Sequence, residues 1–88
     1  MTRRFVVSGR VQGVGFRDFV RRAARSHSVR GWVRNREDGR VEALATGDPE
    51  SLAAFEATLR AGSALSRIES IETADLEDAP FPDFEVRR

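Results

Sequence analysis

The run from Arg4 to Val11 alternates β-favouring side chains, with Phe5 and Val7 on one face and Val6 on the other, and predicts a first strand. Phe16, Phe19, Val20, Ala23, Ala24 and His27 then fall at offsets of helical period, with arginines between them, and predict a helix whose apolar stripe faces a core. Val29 to Asn35 and Arg40 to Thr46 read as two strands of a hairpin. Asp38-Gly39 lies in the connection and supplies the positive φ of a tight turn. Asp48 as a cap, Pro49 at the first helical position and Leu52, Phe55 and Leu59 as a buried edge predict a second helix, closed by Gly62. A strand over Ile68 to Glu72 follows, and Phe84 to Arg87 suits a short last one.

The order βαββαβ, with an optional fifth strand, predicts an α+β ferredoxin-like sandwich: two helices on one face of an antiparallel sheet, in one domain over residues 1–88. A helix joins the first two strands, so they run parallel with the third inserted between them. Their C-terminal ends then leave on the same sheet edge. That topology makes neighbours of Arg17 and Asn35, although 18 residues separate them in sequence.

Composition narrows the chemistry. All 15 basic residues are arginine, so a Walker-type lysine and a Schiff-base lysine are both excluded. Cysteine is absent, which removes disulfides and thiolate nucleophiles. Residues 1–44 carry a formal charge of +7 and residues 45–88 one of −6, an asymmetry that either attracts an anion or is cancelled when the halves pack together. No apolar run approaches the roughly 20 residues of a membrane span, and no apolar leader follows Met1. The expectation is a cytoplasmic monomer with no membrane partner.

Gly9-Arg10-Val11-Gln12-Gly13-Val14-Gly15-Phe16-Arg17 joins the first strand to the first helix. Gly13 and Gly15 permit a tight turn in which the amides of Gln12, Gly13, Val14, Gly15 and Phe16 converge, and the helix N-terminus adds partial positive charge. Arg17 offers a planar fork for two phosphate oxygens, or it is an ordinary solvated helix arginine. Asn35 can accept from a water and donate at once, or it simply caps the turn beside Asp38-Gly39.

The nonapeptide, together with Gly31-Trp32-Val33-Arg34-Asn35 and Asp38-Gly39, closely resembles the two signature stretches of the acylphosphatase family, hydrolases of carboxyl-phosphate anhydrides. The likeness runs from about Arg4 to Gly47 and continues more loosely to the C-terminus. It implies that Arg17 and the loop of Gln12, Gly13, Val14, Gly15 and Phe16 bind phosphate, and that Asn35 positions the attacking water. It implies a small acyl phosphate as substrate and no cofactor or metal. Such a substrate expels a carboxylate whose conjugate acid has a pKa near ~4 to 5, so no general acid is needed. The substrate phosphate is one candidate acceptor for the water's proton. Gly62-Ser63-Ala64-Leu65 and the terminal Arg87-Arg88 depart from the family pattern, both away from the expected site.

Rival readings are weaker. His27 is solitary and sits on the apolar stripe, Ser8 lacks a third partner for a nucleophilic triad, and the acids from Glu69 to Asp83 read as a hydrated face. Trp32 and the phenylalanines read as packing residues. The third strand, Arg40 to Thr46, lacks the paired rings of an RNA-binding sheet, so no nucleic-acid partner is expected. An acylphosphatase-like domain of a hydrogenase maturation carbamoyltransferase is the other possibility, and the zinc-finger cysteines of that larger protein are missing here.

Overall fold

A computed structural model describes residues 1–88. Strand β1 (Thr2–Arg10) leads through the glycine loop into helix α1 (Phe16–Ser26). Strands β2 (Arg30–Asn35) and β3 (Val41–Thr46) form the hairpin, and helix α2 (Pro49–Ala61), β4 (Arg67–Leu76) and β5 (Phe84–Arg87) complete the chain. The sheet order is β4-β1-β3-β2-β5. This is the expected ferredoxin-like α+β fold, with β3 between the parallel β1 and β2. The fifth strand is present and pairs parallel to β2, so the sheet is mixed rather than wholly antiparallel.

Both helices cover one face. Phe5 and Val7 of β1, Val33 of β2, and Val41, Ala43 and Ala45 of β3 meet Val20 and Ala24 of α1 and Leu52, Phe55 and Leu59 of α2 in one core. The ring of Phe55 sits between Phe5, 5.5 Å away, and Phe84, 6.1 Å away, and so joins α2 to β1 and β5. Asp48 caps α2 by accepting from the Ser51 amide at 2.8 Å, and Gly62 closes the helix with φ of 74°. The edge strand β4 is longer than the run from Ile68 to Glu72 that its alternation implies, because its neighbour β1 pairs with it all the way from Thr2 to Arg10. No helix is long and apolar enough to cross a membrane.

Gly31 stands where two backbones nearly touch. Its φ is 151°, and a Cβ there would lie 1.8 Å from the Leu44 carbonyl oxygen of β3. Gly31→Ala must therefore push β2 off β3, or unpair it. A loss of at least about 3 kcal/mol is expected, read by urea unfolding with Trp32 fluorescence. Wild-type stability in that variant would contradict the close approach.

Candidate active site

The site is assembled where β1 ends, α1 begins and the β2–β3 hairpin turns. Gly13 and Gly15 both adopt positive φ, 73° and 74°, in the left-handed region open to residues without a Cβ. Gly15 is the N-cap of α1 and has no side chain to satisfy the first-turn amides. No amide from Gln12 to Asp18 donates in the loop and cap hydrogen bonds, so a set of backbone donors is left free at the positive end of α1.

Val14 packs against the hydrophobic core and pins the middle of the loop. Gln12 turns the other way: its Nε2 donates to the carbonyls of Arg36 at 2.8 Å and Arg40 at 2.9 Å. One side chain thus ties the glycine loop to both ends of the hairpin turn. Asp38 stiffens that turn from within. Its carboxylate accepts from the Arg40 guanidinium and amide and from Arg36, contacts that hold its pKa at about 2, below the ordinary carboxylate value.

Asn35 is the last residue of β2 and pairs directly opposite Val41. Opposite residues of an antiparallel pair point to the same face, and Val41 is fully buried in the core. Asn35 therefore points to the helix side, towards the N-terminus of α1. Its Oδ1 is buried and accepts no hydrogen bond from the protein. Its neighbour Arg34 points to the open face and grips the buried Glu42, with Nη2 2.7 Å and Nε 2.9 Å from one carboxylate oxygen. The end of β2 is clamped one residue before Asn35.

Arg17, half-buried on the first turn of α1, donates from Nη1 to the Arg87 carbonyl at 3.1 Å. The last strand thereby orients its guanidinium. Gly13, Gly15, Phe16, Arg17 and Asn35 line one cleft of about 380 Å³. Of the residues singled out from sequence, these five meet there, while the side chains of Gln12 and Val14 serve the loop's attachment. Val11, Asp18, Arg21, Val86 and Arg88 also line the cleft and were not anticipated. Arg21 had a signal, since it follows Arg17 by four residues on a helix. Val86 and Arg88 had none, because their position depends on β5 pairing with β2. No three His, Asp or Glu side chains converge as metal ligands.

Fold and cleft together define a ferredoxin-like α+β protein with a basic, glycine-edged cleft at one end of its sheet. The family model described as Acylphosphatase matches residues 3–86. An acylphosphatase of Koribacter versatilis is 51% identical over 74 residues, covering 84% of this chain and 67% of its own length. The crystal structure of acylphosphatase from Bacillus subtilis superposes with a TM-score of 0.95 at 39% identity, covering 99% of this chain and 98% of that one. HypF of T. kodakarensis carries a similar region, with a TM-score of 0.87 and 34% identity over the whole of this chain but 12% of its own. The chain belongs to the acylphosphatase family.

Proposed function

We propose that this protein hydrolyses acyl phosphates without a metal, with Arg17 and the free amides of the Gln12 to Phe16 loop holding the phosphoryl group and Asn35 orienting the attacking water. Membership of the acylphosphatase family makes the chain a hydrolase of carboxyl-phosphate anhydrides; the residue roles are the proposal. The observation that carries it is the meeting of Arg17, from α1, and Asn35, from β2, in one cleft edged by Gly13 and Gly15.

The chemistry asks for little more. The guanidinium and the helix N-terminus neutralise a dianionic phosphoryl group and the charge that spreads over its oxygens in the transition state. The unpartnered Oδ1 of Asn35 is an acceptor that a water can satisfy, and a buried acceptor left unpaired costs about 1–3 kcal/mol. A water held there has its lone pair free for phosphorus. Its oxygen joins phosphorus, the bond from phosphorus to the acyl oxygen breaks, and the carboxylate departs unprotonated. The protons of the water leave with the phosphate as dihydrogen phosphate, which then equilibrates with solvent.

Benzoyl phosphate is the direct test. Steady turnover in excess EDTA is expected, with oxygen from isotopically labelled water recovered in phosphate. Label in benzoate would move the attack to the carbonyl, and loss of turnover in EDTA would overturn the metal-free reading.

A further inference from the structure

The cleft holds more positive charge than one phosphoryl group requires. Arg17, the loop amides and the end of α1 are enough for a phosphate dianion. Arg21 lines the same cleft one helical turn further on, about 6 Å along the axis of α1 from Arg17. Its one protein partner is Asp18, reached from Nη2, while its Nε is buried and donates to nothing.

Asp18 does not need Arg21 alone. Its second oxygen accepts from Arg22 Nε at 3.1 Å, and the arginines together, Arg21 first, hold its pKa below the ordinary value. The carboxylate is therefore doubly paired, and Arg21 is left as a half-buried cation with donors to spare. An arginine so placed, in a partly desolvated cleft, favours an anion beyond the phosphoryl position. The half-buried Val86, backed by the core residues Val11 and Phe16, gives the same cleft an apolar wall for the body of an acyl group.

We infer that Arg21 is a specificity-determining residue that reads a carboxylate on the acyl portion of the substrate, so that the preferred class is acyl phosphates bearing a second negative charge. This rests on the acyl-phosphate hydrolase reading of the same cleft. The reacting bond stays with Arg17 and Asn35; Arg21 acts on KM through the far end of the substrate.

The test compares 4-carboxybenzoyl phosphate with its neutral isostere 4-carbamoylbenzoyl phosphate, in the wild-type protein, Arg21→Gln and Arg21→Lys. Taking the variant-to-wild-type change for each substrate cancels their different intrinsic reactivities. Arg21→Gln is expected to lower the carboxy-to-carbamoyl ratio of kcat/KM about tenfold, mainly by raising KM for the charged substrate. Arg21→Lys should recover part of the ratio, because it keeps the charge and loses the fork. If Arg21→Gln changes both substrates by the same factor, Arg21 does not read the acyl group. If the wild-type protein hydrolyses neither substrate, the hydrolase reading itself fails.

Discussion

Replacing Arg17 by alanine is expected to lower kcat/KM for benzoyl phosphate by about three orders of magnitude, through a raised KM and a lowered kcat together. One guanidinium binds the phosphoryl group in the ground state and also meets the charge that develops on its oxygens, so both constants move. Inorganic phosphate should inhibit the variant far more weakly than the wild-type protein. Arg17→Lys should recover only a small part of the activity, since an ammonium cannot grip two oxygens in one plane. The fold has little to lose: Arg17 makes one hydrogen bond, to the Arg87 carbonyl, and stays outside the core. Unfolding in urea should therefore be nearly unchanged. Turnover that survives in Arg17→Ala would remove this residue from the site.

For Asn35→Ala the expectation differs in kind: kcat falls about a hundredfold while KM and phosphate inhibition stay close to wild type. A neutral amide contributes little to holding a dianion, and its proposed work is to aim a water. Stability should move the other way. The buried Oδ1 has no protein donor, so trimming the side chain removes an unsatisfied acceptor and leaves the protein as stable as before, or more stable by up to about 1 kcal/mol. Lost turnover without lost stability is the signature of a polar group kept for chemistry. If Asn35→Ala instead weakens phosphate inhibition at unchanged kcat, the residue binds the phosphoryl group and another group must orient the water.

Much of the frame was legible before any coordinates. The period of Phe16, Val20, Ala23 and Ala24 gave α1 its buried face, and Asp48, Pro49 and Gly62 marked the ends of α2 because capping is decided by local chemistry. The parallel placement of β1 and β2 followed from the helix between them, and it brought Arg17 and Asn35 to one edge. Strand ends were less legible. β4 runs from Arg67 to Leu76 because β1 offers it a partner throughout, and pairing carries a strand beyond the residues whose alternation announces it.

The rest of the cleft lay outside local reasoning. Gln12 reads from sequence as one more loop amide, yet its side chain spans to Arg36 and Arg40 and locks the glycine loop to the hairpin. Val86 and Arg88 reach the cleft because Phe84 is anchored against Phe55 and β5 lies parallel to β2, a contact between segments some fifty residues apart. The orientation of Arg17 depends on the same strand. Nothing near residue 17 in sequence specifies a carbonyl at residue 87.

Hydrophobic period, capping residues and glycines of positive φ act over a few positions, so the sequence by itself determined the elements, their order and the two signature stretches of the family. Tertiary structure decided which side chains share a cleft, how Arg17 is aimed, and that Arg21 stands beside it with a donor unspent. Those outcomes depend on distant segments meeting in one geometry, and only the packed fold contains that information.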